Sequence, residues 1–345
     1  MRAIVLTQHG SLQQLSLADR PLPDIGPEEV LLQIEAAALN RLDLWVIEGW
    51  SALELDFPHI LGSDGAGVIA ALGDGVTDFE VGDRVVVNPT RSCGVCNFCR
   101  SGRDHMCNHF AIFGEHIPGF YAEFQAVPAR NLVRIPDGIS ASTAAAAALV
   151  YVTAWHSLID AGHFRPGESI LIVGASGGVN LATIDIARLS GAGAVYVIGS
   201  SEQKLEAARA CGADVTINRN ESDWGRAVYK ATGRKGVDVV VDNVGQATYM
   251  TSLRCLKKGG RLLTVGNTSG PELTFDNRYM FARHLSIIGT TMGPHATFQK
   301  VMNLIFSGQL HPVIDQVYPL DEAKLALERL AAGEAIGKLV LDVAV

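Results

Sequence analysis

Four cysteines lie within fifteen residues of this chain, at Cys93, Cys96, Cys99 and Cys107. Thiolates this close together, on a loop that contains glycine, can converge on one tetrahedral metal ion. Because an all-sulfur shell leaves no position open to a substrate, the spacing predicts one structural zinc ion rather than a catalytic one. An iron–sulfur cluster and unligated thiols are the alternatives, although nothing else in the sequence indicates electron transfer.

A glycine-rich turn is the second feature with chemical potential. The apolar run Ser169–Val173 leads into Gly174, Ser176, Gly177, Gly178 and Val179, and a helical pattern follows. Glycine lets the backbone approach a pyrophosphate, and the positive end of the helix dipole attracts its charge. Asn180 replaces the third glycine of the usual fingerprint, which requires either a wider helix–strand fit or local hydrogen bonding. The turn alone is weak evidence, because parallel sheets contain such turns without any ligand.

The strands and helices around this turn strengthen the interpretation that it binds a cofactor. Further apolar strands are predicted over 194–198, 214–217, 237–241, 261–265 and 285–289, with helices over 202–211, 222–232 and 247–256 between them. Six strands alternating with helices predict an α/β fold with a doubly wound, parallel, six-stranded sheet.

The remainder of the chain has a different pattern. Short strands over 30–34, 67–72, 83–87 and 121–127 predict a β-rich region, and an alanine-rich helix over 141–161 follows it. Helices over 295–307 and 321–332 and a strand over 337–342 are expected to return to that region. The predicted domains are therefore 1–150, with the cysteine lobe at 90–110, then 151–292 for the parallel sheet, and 293–345 as the second part of the β-rich domain.

Composition limits the classes of function. The chain has 345 residues, a formal net charge of -8 and a pI of about 5.7, which argues against nucleic acid or an anionic membrane as its partner. We expect no membrane span and no signal peptide. Six cysteines in a chain of this class indicate a reducing compartment, so the cytoplasm is the predicted location.

Several stretches together resemble the medium-chain dehydrogenase/reductase superfamily, which includes zinc alcohol dehydrogenases and quinone reductases. They are 58–67, 79–85, the cysteine lobe, the glycine-rich turn, 257–261 and 337–341. The resemblance implies a chaperonin-10-like (GroES-like) catalytic domain followed by a Rossmann domain. It also implies that the four cysteines hold the structural zinc.

The departures from this family concern its catalytic zinc. Asn40, Ser63 and Leu149 align with the three ligand positions, and Asp64 aligns with a neighbouring glutamate. Amide and hydroxyl oxygens bind zinc poorly and an isobutyl group does not bind it, so the usual catalytic zinc is not expected. The segment from Asn40 to Asp43 resembles the zinc-free branch that reduces quinones and enones.

A displaced metal site is the competing hypothesis for this region. Asp43, His59, Asp64, Glu115 and His116 have suitable side chains for one. Separate hydrogen-bonded or surface roles for these residues are the simpler interpretation.

The second strand of the parallel sheet bears on the choice of cofactor. Gly199 aligns with the acidic residue that binds the ribose of NAD, while Ser200, Lys204 and Arg219 offer donors to a 2′-phosphate. The sequence therefore favours NADP(H), with NAD(H) as the alternative. Glu202 lies in the same loop and would weaken this preference if it turned inward.

The resemblance implies further cofactor contacts. Arg41 and Lys338 would touch the pyrophosphate, and the channel from adenine to nicotinamide would be lined by Thr153, Asn243, Val244, Val265, Gly266 and Met292. For the apolar members of this set, core packing is an equally good account.

The leading functional hypothesis is an NADPH-dependent reductase of small quinones or α,β-unsaturated carbonyls. Without zinc, the Asn40 amide would stabilise the developing anion, Asp43 would orient its neighbours, and Ser63 and Asp64 would complete the catalytic site. The alternatives are a zinc-dependent alcohol dehydrogenase with an altered metal shell and a cofactor-binding protein without turnover. The apolar strand at 285–289 predicts a homodimer or homotetramer, because an exposed sheet edge favours pairing with a second chain.

Overall fold

A computed structural model describes residues 1–344 of the chain. These residues form two compact units. The first unit contains Met1–Leu149, Pro294–Gly308 and the chain from Pro312 onward, and the second contains Val150–Gly293 and Gln309–His311. The short segment Gln309–His311 differs from the predicted domain division, which assigned it to the β-rich domain.

The strands are as follows, in chain order. They are β1 Arg2–Leu6, β2 Leu15–Asp19, β3 Glu29–Ala38, β4 His59–Ile60, β5 Asp64–Leu72, β6 Arg84–Val87, β7 Thr90–Arg91, β8 Ala111–Ile112, β9 Phe124–Pro128, β10 Leu132–Arg134, β11 Ser169–Val173, β12 Ala194–Gly199, β13 Val215–Asn218, β14 Val237–Asp242, β15 Leu256–Thr264, β16 Ser286–Gly289, β17 Ile314–Pro319 and β18 Lys338–Asp342.

The helices follow the same convention. They are α1 Arg41–Glu48, α2 Asn97–Arg100, α3 Ala141–Trp155, α4 Gly178–Leu189, α5 Glu202–Ala210, α6 Trp224–Ala231, α7 Tyr249–Cys255, α8 Asn277–Arg283, α9 His295–Phe306 and α10 Ala323–Ala331. Single 3-10 turns occupy Leu12–Gln14, Asp104–Met106, Ala129–Asn131 and Leu320–Glu322.

The second unit is built on one parallel sheet, with the strand order β13-β12-β11-β14-β15-β16. Its central strands are continuous apolar runs because helices cover both faces of such a sheet. The predicted six-stranded, doubly wound α/β fold is confirmed. The chain changes direction between β11 and β14, and in such sheets a ligand binds beside the carboxyl ends of the strands at this point. The glycine-rich turn directly follows β11.

The first unit is β-rich, as predicted. Its largest sheet has the order β10-β6-β5-β3-β18-β17, and β9 also pairs with β3. Strand β18 pairs antiparallel with β3, with Val340 opposite Ala38, so the C-terminal strand does return to this unit. A mainly apolar core lies beneath the sheet and includes Leu32, Ile69 and Tyr121.

Helix α3 is the part of the chain that bears on the expectation of no membrane span. It continues as a π-helix over His156–Ala161, and the whole segment Ala141–Ala161 is long and apolar enough to cross a membrane, with a mean hydropathy of 1.3. However, 83% of the apolar window is buried inside the structure, as in a core helix.

Candidate active site

Two pairs of strands bring together the residues that align with the family's catalytic zinc site. The pairing of β3 with β5 sets Ala38 opposite Asp64, and Asn40 follows β3 as the residue that precedes α1. The pairing of β18 with β3 brings Lys338, the first residue of β18, to the same end of the sheet. All three side chains are consequently held by the first unit alone.

A buried hydrogen-bond network joins these residues. The Lys338 ammonium donates to Asp64 Oδ2 at 2.9 Å, to Asn40 Oδ1 at 2.5 Å and to the Leu39 carbonyl at 2.6 Å. The Asn40 amide donates to Asp64 Oδ2 at 2.9 Å, and the Leu149 N–H donates to Asp64 Oδ1 at 2.7 Å. The Lys338 and Asp64 side chains are 4% and 0% exposed, so water does not screen this ion pair.

This network changes the roles expected for two residues. The three donors of the Lys338 ammonium are all engaged inside the first unit, whereas the sequence predicted a contact with the cofactor pyrophosphate. The Asn40 amide nitrogen is likewise bonded to Asp64 and, at 3.4 Å, to the Ala38 carbonyl. Asn40 therefore holds the network together, and its amide is not directed at a substrate oxygen as the sequence suggested.

Asp43 forms a second buried carboxylate on α1. Its Oδ2 accepts hydrogen bonds from the Asn40 N–H at 2.7 Å and from the Tyr121 hydroxyl at 2.6 Å. Full burial raises the pKa of Asp43 to about 6, although these two hydrogen bonds and the Lys338 charge act in the opposite direction. Asp43 thus orients Asn40, as expected, but its partner Tyr121 was not identified from the sequence.

Two buried polar atoms in this region have no hydrogen-bond partner within residues 1–344. They are Ser63 Oγ and Asp43 Oδ1. Ser63 is fully buried and directly precedes Asp64. Its placement agrees with the alignment to a ligand position, but a lone hydroxyl is a poor zinc ligand.

The candidates for a displaced metal site do not converge. Within the described chain, the one group of three or more His, Cys, Asp or Glu ligand atoms close enough to share an ion is the set of four cysteines. The His59 ring instead forms a hydrogen bond with the Gly114 carbonyl at 3.2 Å. The Nε2 atom of His116 lies 3.7 Å from Glu115 Oε1. Burial raises the pKa of Glu115 to about 7.

The four cysteines form a compact thiol cluster. Sulfur–sulfur distances are 3.8 Å for Cys93 to Cys99, 3.5 Å for Cys96 to Cys99 and 3.9 Å for Cys96 to Cys107. A tetrahedral zinc ion with bonds of about 2.3 Å requires sulfurs about 3.8 Å apart. Backbone N–H groups also point at the sulfurs, including those of Cys96 and His109 at 3.4 and 3.3 Å, which stabilises thiolates. The donor set and its geometry therefore fit a structural zinc site.

The glycine-rich turn has the geometry of an anion cradle. Gly174 has φ +117°, and a Cβ there would lie 2.3 Å from the Asn180 amide nitrogen. That amide donates to the Val173 carbonyl at 3.2 Å, while Asn180 Oδ1 accepts a hydrogen bond from Asn243. The third fingerprint position is thus accommodated by local hydrogen bonding rather than by a wider fit.

The start of α4 supplies the donors of this cradle. Gly177 precedes the helix, and within residues 1–344 no side chain caps its first turn. The N–H groups of Gly178, Val179 and Asn180 therefore remain available for an anion, because a helix N-terminus leaves such groups unsatisfied. Ser176 lies within the same turn.

The loop after β12 positions the residues predicted to select the cofactor. The Arg219 N–H bonds the Gly199 carbonyl at 2.9 Å, and the Asn220 amide bonds the Ser200 carbonyl at 2.8 Å. These contacts bring the backbones at Ser200 and Arg219 close together, with Lys204 on the first turns of α5. Glu202 is 73% exposed and pairs with Arg209 at 2.5 Å along α5.

The remaining cofactor candidates lie in the second unit. The Thr153 hydroxyl contacts the Met292 sulfur at 3.7 Å, and Met292 has the left-handed φ of +50°. Asn243 Oδ1 accepts the Val265 N–H at 3.0 Å, which ties the ends of β14 and β15 together. Val244 and Gly266 follow Asn243 and Val265 at the same carboxyl end of the sheet.

Comparisons with known proteins agree with this description. A family model described as alcohol dehydrogenase GroES-like domain matches residues 26–137, and one described as zinc-binding dehydrogenase matches 178–307. The chain is 32% identical to a zinc-type alcohol dehydrogenase-like protein of Schizosaccharomyces pombe, with 99% of both chains covered. It is 29% identical to the acryloyl-coenzyme A reductase of Sulfurisphaera tokodaii, again with 99% of each covered. A crystal structure titled NAD-dependent alcohol dehydrogenase superposes with a TM-score of 0.96, at 41% identity and full coverage of both chains.

Proposed function

Because this chain belongs to the medium-chain dehydrogenase/reductase superfamily and is an oxidoreductase of that type, we propose that it is an NADPH-dependent reductase. Its proposed substrates are quinones or α,β-unsaturated carbonyl compounds, reduced without a catalytic zinc ion. The relative named acryloyl-coenzyme A reductase acts, by its name, on a conjugated carbonyl.

The buried ion pair of Lys338 and Asp64 is the observation that carries this proposal. Asp64 is the one carboxylate among the residues aligned with the metal site, and both of its oxygens already accept hydrogen bonds. The adjacent ammonium would repel a zinc ion, since like charges at short distance in a buried site interact strongly. The aligned positions Asn40, Ser63 and Leu149 offer no thiolate or imidazole to overcome that repulsion.

A site without zinc favours one class of acceptor. Reduction of a simple ketone places charge on an alkoxide, which zinc-dependent enzymes stabilise with their metal. A quinone or enone instead spreads the charge over its own conjugated system. Such acceptors need only positioning and a proton, which hydrogen-bonding groups and acids of the protein supply.

The proposed binding site for the cofactor pyrophosphate is the glycine-rich turn that follows β11. The uncapped N–H groups at the start of α4 fit a pyrophosphate, and the bound nicotinamide supplies the hydride. A Cβ at position 199 would lie 2.5 Å from Leu205 Cδ2, so the aspartate that selects NAD does not fit here without rearrangement. Ser200, Lys204 and Arg219 would then bind the 2′-phosphate of NADP(H). Glu202 would oppose the preference for NADP(H) if its carboxylate faced the 2′-phosphate, but that carboxylate instead pairs with Arg209 along α5.

The four cysteines are proposed to hold one structural zinc ion per chain. Within residues 1–344 no disulfide joins any of the six cysteines, which agrees with a reducing compartment such as the cytoplasm. Strand β16 forms an edge of the parallel sheet, and we assign it to the contact of a homodimer or homotetramer.

A zinc-dependent alcohol dehydrogenase that uses NAD(H) is the second candidate. The 41% identity to a structure titled NAD-dependent alcohol dehydrogenase favours it. The two candidates differ in the number of zinc ions per chain, in substrate class and in cofactor.

Metal content and substrate preference together test the proposal. We expect one zinc ion per chain by elemental analysis, and none after Cys107→Ser. With NADPH, kcat/KM for quinones or enones should exceed that for simple aldehydes at least tenfold, and a chelator that leaves the structural zinc in place should not reduce it. Two zinc ions per chain, with activity lost on chelation and restored by zinc, would establish the second candidate instead.

A further inference from the structure

The loop over residues 113–119 lies against the strand that leads to the candidate active site. The Gly119 N–H bonds the Ile60 carbonyl at 2.8 Å and the Phe120 N–H bonds the Gly62 carbonyl at 2.9 Å. Gly114 packs directly on Gly62, because a Cβ at position 114 would lie 2.6 Å from the Gly62 backbone. This loop, which carries Glu115 and His116, is therefore fixed beside the segment that continues into Ser63 and Asp64.

Glu115 is a buried acid, and its neighbour His116 reaches the protein surface. The Glu115 side chain is 10% exposed and that of His116 is 40% exposed. The backbone N–H of Ile112 donates to His116 Nδ1 at 3.2 Å, so in the neutral ring the proton resides on Nε2. Nε2 lies 3.7 Å from Glu115 Oε1. The backbone thus sets the tautomer whose N–H faces the carboxyl group.

Another titratable side chain, His59, lies near His116. His59 lies near both His9 and His116, and burial lowers the pKa of His59 and of His116. Burial alone raises the pKa of Glu115 to about 7. A substantial fraction of Glu115 therefore retains its proton at neutral pH, with neutral imidazole groups around it.

We infer that Glu115 is the proton donor of the reduction and that the His116 Nε2–H stabilises the carboxylate that the proton transfer leaves. This inference rests on the proposed function for its substrate class. It also gives the site an acid, which the engaged side chains of Asn40 and Lys338 do not provide.

The proposed step balances as follows. Hydride adds to the β-carbon of the acceptor, and the electron pair of its double bond forms an enolate. The Glu115 O–H bond breaks and its proton forms a bond to the α-carbon, which leaves a Glu115 carboxylate. The His116 Nε2–H then faces that carboxylate and stabilises its charge, and a proton from solvent restores the Glu115 acid. For a quinone, the proton goes to oxygen instead.

Glu115→Gln tests the inference, because glutamine keeps the shape of the side chain but cannot donate a proton as an acid. We expect kcat to fall about a hundredfold, the usual size of general acid catalysis, with little change in the Kd for NADPH. In the wild type, kcat should decline above a pH of about 7, and this decline should disappear in the variant. Small carboxylic acids should partly restore the activity of Glu115→Ala.

Stereochemistry provides a readout that a structural role would not change. With a 2,3-dimethyl enone, the wild type should protonate the α-carbon on one face, whereas Glu115→Gln should give both α-carbon epimers and retain the configuration at the β-carbon. His116→Asn should slow turnover less than Glu115→Gln and leave the stereochemistry intact. The control Glu80→Gln, at an exposed position of the same unit, should match the wild type.

The outcomes separate this inference from the proposed function. If Glu115→Gln retains both the alkaline decline of kcat and the facial selectivity, Glu115 is not the proton donor. If the wild type reduces only aldehydes, the proposed substrate class is wrong, and the pH profile of aldehyde reduction by Glu115→Gln then decides the role of Glu115 alone.

Discussion

Replacement of Lys338 by methionine tests the buried charge network on which the proposed chemistry depends. Methionine keeps an unbranched side chain but removes the ammonium that bonds Asp64, Asn40 and the Leu39 carbonyl at 2.5–2.9 Å. The Asp64 carboxylate would then remain fully buried with only neutral donors. Removal of one partner of a buried pair costs about 3–5 kcal/mol. We expect Lys338→Met to lower the free energy of unfolding of the first unit by this amount.

A double-mutant cycle isolates the contribution of the pair. Asp64→Asn alone leaves the ammonium without its counterion and should cost a similar amount. The double variant Lys338→Met/Asp64→Asn leaves no unpaired charge, so its loss should be about 3 kcal/mol smaller than the sum of the single losses. Denaturant titration of the zinc-loaded protein, followed by circular dichroism and by tryptophan fluorescence, measures each free energy of unfolding and shows whether the transition is two-state.

The exposed pair of Arg278 and Asp276 serves as the matched control. Its side chains are 83% and 48% exposed, so Arg278→Met should leave stability unchanged within error. The reasoning is refuted if Lys338→Met is as stable as the wild type, or if the two single losses simply add in the double variant. Either result would mean that Lys338 and Asp64 do not depend on each other, and the main argument against a zinc ion at this position would disappear.

Three further predictions follow from the site. Burial raises the pKa of Asp43 from 3.8 to about 6, a difference of about 3 kcal/mol, so the wild type should lose stability relative to Asp43→Asn as the pH rises from 4 through 6, in denaturant titrations at each pH. Cys107→Ser should lose its zinc, by elemental analysis, and unfold at a lower Tm, while Cys211→Ser keeps it. Ser200→Asp should raise the Kd for NADPH at least tenfold, by fluorescence titration, and change the Kd for NADH little, because a carboxylate repels a 2′-phosphate.

The parallel sheet could be predicted from the sequence because its strands are buried on both faces. Runs such as Ser169–Val173 are apolar at every position after the first, and glycine or polar turns separate them. Element ends were less accurate. Strand β15 begins at Leu256 rather than at 261, because the segment through Lys257 and Gly260 is extended and pairs irregularly with β14. Hydrogen bonding, which spacing does not record, sets such ends.

The candidate active site shows why partners were harder to predict than positions. Alignment identified Asn40, Ser63 and Asp64 correctly as neighbours, but the sequence does not show that Lys338 is their partner, 274 residues from Asp64. That contact depends on the register of β18 against β3. A shift of one residue would turn Lys338 to the opposite face of the sheet.

The same register bears on the proposal that this site works without a catalytic zinc ion. A zinc ion at this position would add positive charge, whereas here Lys338 already compensates the one carboxylate among the aligned positions, Asp64, within the protein itself. The network is therefore neutral as a whole and exerts little pull on a substrate oxygen. In the proposed reaction the acceptor accommodates most of the transferred charge, and Glu115, which burial keeps partly protonated, would complete the reduction. Restored zinc ligands at Asn40, Ser63 and Leu149 would consequently not produce an alcohol dehydrogenase unless the Lys338 ammonium were also displaced from Asp64.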